Sequence, residues 1–440
     1  MNKRSLIAIC PLQTISGYGI HSRIILRSLL SIPEITDNFD IKVISLKWGS
    51  TPMNALDPNN PEDRKLLDLM IPELNFTPDI SIHITIPSEA QRIGKKSILI
   101  TAGTEGSLAP ESFLKGCNQV DLVITPSEFT KAILANSKLE KRDKSTNNLI
   151  ELIECKTPIQ VLFEGIDTSI YSKINSSKGK VTEYLDKIPE SFNFLFCGHF
   201  LNAAPGHDRK DVWSLIETFI NTFRKKSVKN RPGLILKTSG AGFSITERDQ
   251  IIEKINQIQD SFIERSDYNG SLPNIYLLNG ELSDLEMNEL YNHNRVKAMV
   301  SFTHAEGFGL PLAEFTMSGK PVIASNFSGQ LDFLHPEYSV LLPGKMIKVD
   351  RSAVNEWIID GSEWFQVNYT YASQVLGDVY ANYPKYLEKS RKHPKYTKDN
   401  FSIERMSQKF LEILKESINL LESEQKPMMT IKLPQLKKLT

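Results

Sequence analysis

Residues 301–325 read SFTHAEGFGLPLAEFTMSGKPVIAS. A short apolar run at 298–302 has the look of a buried strand and is followed by a loop holding Gly307 and Gly309. A helix then begins near Pro311, a residue tolerated in a first helical turn because its missing N–H would be unbonded there anyway. A second apolar run follows at 321–324. Strand, glycine loop, helix and strand make a parallel unit, whose ligand side is the carboxyl end of its strands. Without a Cβ, the glycines let the backbone approach a ligand closely. The amides of Gly307, Phe308, Gly309 and Leu310, at the start of a helix, form an anion site suited to a diphosphate. Glu306 ends the strand and faces the cleft. Glu314, one turn into the helix, is placed to accept two hydroxyls of a ribose.

The same alternation runs along the whole chain. Residues 5–11, 39–46, 80–86, 97–101, 122–125 and 159–163 are short β-branched runs bounded by turn residues, and helical patterns such as 21–31 and 126–135 separate several of them. A second series of strands is expected at 194–197, 233–237, 275–278, 298–302 and 321–324, with helices at 212–223, 246–259, 283–292 and 312–318. Alternating strands and helices imply two α/β, doubly wound, Rossmann-like units with parallel sheets covered on both faces. The polar stretch 172–190 is expected to link them. A last amphipathic helix is expected at 402–421, and the tail after it has no packable pattern.

Composition agrees with two domains. The chain has 440 residues, above the roughly 250–300 at which single cores stop growing. Lys plus Arg is 52 and Asp plus Glu is 52, which excludes a globally basic nucleic-acid coat but not a local basic face. The four cysteines, Cys10, Cys117, Cys155 and Cys197, lie far apart with no CxxC. Neither a disulfide framework nor a structural zinc site is expected, and a reducing compartment is. No run is long enough to span a membrane, so a cytoplasmic-type protein is expected.

Glu306 and Glu314, with EGFGLPLAE and GKPVIAS around them, resemble the E-x7-E motif of retaining GT-B glycosyltransferases of the family 4 type. The resemblance implies a GT-B fold, two Rossmann-like domains facing a central cleft. It implies transfer of a sugar from a nucleoside diphosphate donor, a UDP-sugar favoured, to an acceptor hydroxyl. No cofactor or metal is expected. Glu306 would contact the donor sugar and Glu314 the ribose. The implied division is an acceptor domain at 1–175, a donor domain at 176–395, a helix returning to the first domain at 396–423 and a flexible tail at 424–440.

Further stretches extend the resemblance. In FLFCGHFLNAAPGHDRKDVWSLIETF, residues 194–219, Arg209 and Lys210 fit the family's basic pair, which would stabilise the leaving diphosphate. Asp211 follows where a small residue is common. Lys237 is a further cleft candidate at a strand end. IYLLNGELSDLEMNELY, residues 275–291, would hold the nucleoside base near Gly280, Glu281 and Leu282, with Leu285 and Tyr291 packing in the core. Gly17 and Gly19, in QTISGYGIHSR after the first strand, would face the diphosphate and acceptor. The third glycine of a dinucleotide fingerprint is absent. On the acceptor side stand His83, mid-strand, and Thr104 with Glu105, where the family usually has a His-Asp pair. In residues 161–168 Glu164 replaces a commoner Asn before Gly165.

The acceptor is left open between a glycan, a lipid-linked or small molecule, and a modified base. Residues 80–105 and 114–134 look similar to glycosyltransferases of tailed phages, some of which act on hydroxymethylated DNA bases; a phage-encoded protein would work in the host cytoplasm. Three basic stretches, 385–398, 224–231 and 138–144, could meet phosphates. A nucleotide-sugar-binding protein without catalysis is the alternative of another class.

Overall fold

The computed structural model describes residues 3–49, 51–175, 179–239, 244–268 and 270–424. Its centre is two six-stranded parallel sheets. In the first, the strands run in the order Phe39–Ser45, Arg4–Cys10, Ile80–Ile84, Lys96–Ile100, Leu122–Thr125, Ile159–Val161. In the second the order is Ile275–Leu278, Gly233–Ser239, Asn193–His199, Val296–Ser301, Val322–Ser325, Val340–Leu342. Central strands such as Arg4–Cys10 are buried along most of their length because helices cover both faces, which is why they are near-continuous runs of Ile, Leu and Val.

Each unit opens on a strand inside its sheet and then builds outward in both directions. Arg4–Cys10 lies between Phe39–Ser45 and Ile80–Ile84, and Asn193–His199 lies between Gly233–Ser239 and Val296–Ser301. Such reversal points open a crevice at the carboxyl ends of the strands. The loops at these points are residues 11–16, 200–211 and 302–309, and they carry Arg209, Lys210, Glu306 and Gly307.

The chain returns to the first lobe through helix Ile403–Glu424, where the Ser407 hydroxyl lies 2.9 Å from that of Ser28 and 3.1 Å from that of Ser31. Residues 172–190 are less loose than their polarity suggests. They contain helix Lys180–Leu185, with Val181, Leu185 and Ile188 buried. The Glu289 carboxylate accepts from the Gly179 amide at 2.6 Å and the Thr182 hydroxyl at 3.0 Å, fastening the segment to helix Asp284–Asn292. On that helix Tyr291 is fully buried as expected, but Leu285 is 69% exposed and does not belong to the core. The tail at 425–440 lies outside the described residues.

Two antiparallel hairpins were not expected: Lys138–Arg142 with Leu149–Glu154, and Gly344–Lys348 with Glu363–Val367. The first contains most of one of the basic stretches, and two of its cations are paired, Lys138 with Glu154 at 3.2 Å and Arg142 with Glu140 at 2.7 Å. In the second basic stretch Arg224 pairs with Asp267, and Arg231 donates to the carbonyls of Lys226 and Arg224. No helix among the described residues is long and apolar enough to cross a membrane.

Candidate active site

The loop between strand Val296–Ser301 and helix Leu310–Thr316 is held by backbone contacts that only glycine permits. Gly309, at φ 99°, turns the chain into the helix, a left-handed conformation that a Cβ would strain. A Cβ on Gly307 would stand 2.6 Å from the carbonyl oxygen of Ala102, in the opposite lobe. The Gly307 carbonyl accepts a bond from the Ser127 hydroxyl at 2.6 Å, also across the lobes. Phe308 is buried against Phe333. Among the described residues, none of the amides of Gly307, Phe308, Gly309 and Leu310 donates to a backbone carbonyl. A second strut was not foreseen. Ser328 sits at φ 69°, ψ −163°, a conformation usually reserved for glycine. Its hydroxyl accepts from the Glu306 amide at 2.9 Å, and the Gly329 amide donates to the Glu306 carbonyl at 3.0 Å.

Glu306 lies in a charge cluster at the meeting of the lobes. Lys210 Nζ donates to Glu306 Oε1, and Arg209 Nη1 lies 3.8 Å from Glu306 Oε2 and 2.6 Å from Glu105 Oε1. Burial pushes the Glu306 carboxyl up, but Lys210 and Arg209 outweigh it and hold it below the usual range. Burial also leaves Lys210 below the ordinary lysine value, helped by Arg209 and opposed by Glu306 and Glu105. Glu105 stays above the ordinary carboxylate value, because burial exceeds the pull of Arg209 and Lys210.

The basic pair owes its position to two buried aspartates. Asp211 takes φ 52°, ψ 39° just before helix Val212–Phe223. The conformation is left-handed, and Asp is among the few side chains that adopt it. The Tyr369 hydroxyl donates to Asp211 Oδ2 at 2.6 Å, and Asp208 Oδ2 accepts from the Val212 amide at 3.2 Å. The Arg209 carbonyl accepts from the His304 amide at 2.9 Å, and Arg209 Nη1 donates to the Ala305 carbonyl at 3.3 Å. The two loops at the crevice are thus stitched together.

Glu314 belongs to a separate group. Tyr291 donates its hydroxyl to Glu314 Oε2 at 3.0 Å, and Tyr171 donates to Asp284 Oδ1 at 3.3 Å. Burial, reinforced by Asp284, pushes the Glu314 carboxyl up to about 8 despite the two tyrosines. Glu314, Tyr171, Asp284 and Leu310 line a cavity of about 40 Å³ with Arg23 and Arg27 of the first lobe. That is well below the roughly 300–1,000 Å³ of a usual small-molecule site, so the lobes lie close together here. Lys237 donates to the Gly280 carbonyl at 2.8 Å, and Gly280 turns at φ 117°. This fixes the loop that holds exposed Glu281 and half-buried Leu282.

The other expected residues are dispersed. Gly17 opens helix Gly17–Leu30, and the Gly19 amide donates to the helix-capping Ser16 hydroxyl at 3.0 Å. A Cβ on Gly19 would lie 2.2 Å from the Thr14 carbonyl oxygen, so that glycine serves close packing. His83 is buried within its strand, and burial holds its imidazole below the ordinary value. Thr104 reaches the second lobe, donating to the Trp357 carbonyl at 3.3 Å. Tyr18, not singled out from sequence, shapes the Glu105 loop: its hydroxyl lies 3.0 Å from that of Thr101 and accepts from the Ala102 amide at 3.1 Å.

No protein-family model matches the chain, and no curated protein does. Solved structures do. A glycosyltransferase from Rickettsia africae ESF-5 is 16% identical, with 95% of this chain and 99% of that one covered at a TM-score of 0.59. Sucrose-phosphate synthase from Thermosynechococcus elongatus is 12% identical, with 95% and 100% covered at 0.61. HepE from Anabaena, in complex with UDP-glucose, is 13% identical, with 94% and 100% covered at 0.59. These likenesses establish the architecture, and the chain has the GT-B fold.

Proposed function

We propose that the protein is a glycosyltransferase that moves a sugar from a nucleoside diphosphate donor, a UDP-sugar favoured, to an acceptor hydroxyl. The observation that carries this is the convergence of Arg209, Lys210 and Glu306 from two loops at the crevice between the lobes. Breaking an anomeric bond leaves positive charge on the sugar and negative charge on the diphosphate. Lys210 and Arg209 supply the countercharge for the diphosphate, and the glycine-loop amides add hydrogen-bond donors. Glu306, kept ionised by the same cations, lies beside the sugar. The UDP-glucose of the Anabaena structure favours uridine as the base.

Retention of anomeric configuration and the family 4 assignment belong to the same proposal, supported by the spacing of Glu306 and Glu314 and the sequence between them. So does the division into an acceptor domain at 1–175, a donor domain at 176–395 and a returning helix at 396–423, to which the two sheets and the Ser407 contacts lend support. The proposed setting is the cytoplasm. The acceptor is a glycan, a lipid-linked or small molecule, or a modified DNA base; the pairing of Lys138, Arg142 and Arg224 with carboxylates of this chain counts against a DNA-binding face there.

A donor panel tests the proposal. The protein is incubated with UDP-, GDP- and ADP-sugars, and thermal shift and free nucleotide are measured. At least one donor, a UDP-sugar first, is expected to raise the melting temperature and release its nucleotide. No response to any of them contradicts the proposal.

A further inference from the structure

Glu105 of the first lobe stands in contact with a cation that a donor diphosphate would need. Its Oε1 is 2.6 Å from Arg209 Nη1, so no phosphate oxygen fits between them. The loop that carries it is tied to the second lobe. The Ser107 amide donates to the Glu363 carbonyl at 2.8 Å, the Glu363 amide donates to the Ser107 hydroxyl at 2.8 Å, and Thr104 bonds the Trp357 carbonyl. Carboxylates and phosphates present similar acceptor oxygens to a guanidinium.

We infer that Glu105 occupies the seat of a diphosphate oxygen on Arg209, so that donor binding exchanges one anion for another and Glu105 sets donor affinity. This rests on the proposal that Arg209 and Lys210 hold the diphosphate. Charge balance favours an exchange over an addition. Two cations face two carboxylates in a largely enclosed cluster, and a diphosphate added to it would leave buried negative charge uncompensated. Of the two carboxylates Glu105 is the one able to leave, with its side chain 31% exposed against 11% for Glu306. When the lobes part, residues 101–107 withdraw with the first lobe and Arg209 is released. The competent, open form is then only a fraction of the population, and apparent affinity falls by that fraction.

Calorimetric titration of the full chain with UDP, GDP and ADP tests this, using wild type, Glu105→Gln, Glu105→Ala and Arg209→Gln. Glu105→Gln keeps the shape and drops the charge, and is expected to bind its best nucleotide about five- to tenfold more tightly than wild type. Arg209→Gln is expected to bind at least about tenfold more weakly. Unchanged or weaker binding by both Glu105 variants, with Arg209→Gln still impaired, overturns the inference and leaves the diphosphate assignment standing. Undiminished binding by Arg209→Gln, or no binding by wild type and the Glu105 variants alike, overturns both. Melting temperatures give a second readout: a Glu105 that merely braces the lobes would lower stability on substitution without raising affinity, which also counts against the exchange.

Discussion

Replacing Glu314 by Gln is expected to stabilise the protein in alkaline solution and impair it as an enzyme. The residue is 9% exposed, its carboxyl accepts the Tyr291 hydroxyl, and burial beside Asp284 raises the carboxyl from 4.5 to about 8. Between those two values the folded chain keeps a proton that the unfolded chain has released. Stability therefore falls as pH rises across that window, and the deficit is complete above about 8. At about 1.4 kcal/mol per pH unit the full deficit amounts to roughly 3–5 kcal/mol. A glutamine has the same shape, can still accept from Tyr291 and carries no charge. Urea denaturation at about pH 5 should give similar midpoints for wild type and Glu314→Gln. At about pH 9 the variant should be more stable by a few kcal/mol. Above about pH 8, where the wild-type carboxyl is ionised, its KM for the donor should exceed that of wild type, because one acceptor oxygen for the ribose is gone. Parallel pH profiles for the two proteins would refute the burial argument, and an unchanged KM would refute the ribose assignment.

Ser328→Ala and Ser328→Gly both remove the hydroxyl that holds the Glu306 amide, but only glycine also relieves the strained backbone; glycine should be the more stable variant by about 1–3 kcal/mol, with turnover reduced in both, read by melting curves and steady-state rates. Gly307→Ala places a Cβ 2.6 Å from the Ala102 carbonyl oxygen, so it should push the lobes apart, cost about 1–3 kcal/mol and lower turnover. Asp211→Asn should be tolerated, because Asn accepts the left-handed backbone and the Tyr369 bond, whereas Asp211→Val should lose about 1–3 kcal/mol in denaturation.

Strand and helix positions were legible because both sheets are parallel and buried, so their strands are unbroken apolar runs between helical repeats. The ends shift by a few residues, as for helix Gly17–Leu30, which begins earlier than its apolar period because Ser16 caps it through Gly19. Motif and spacing singled out Glu306 and Glu314, and both lie where the lobes meet. The short hairpins were not, since Gly344–Lys348 is largely exposed and has no apolar face to read. Ser328 was invisible for a different reason: nothing in its residue type announces a positive φ, and only the Ser-Gly step after a strand hints at a tight turn. Tyr291 was read as core, and it is, but its hydroxyl also serves Glu314. Leu285 was misassigned to the core because the apolar period of its helix is short and the chain turns that residue to solvent.

The most direct measurement compares nucleotide release from a UDP-sugar, with acceptor-independent hydrolysis counted, in wild type and Glu306→Gln, alongside the binding of UDP to each. Wild type should turn over, and Glu306→Gln should bind UDP within a few fold of wild type while releasing it at least about a hundredfold more slowly. Equal rates in the two proteins would contradict the placement of Glu306 at the transferred sugar.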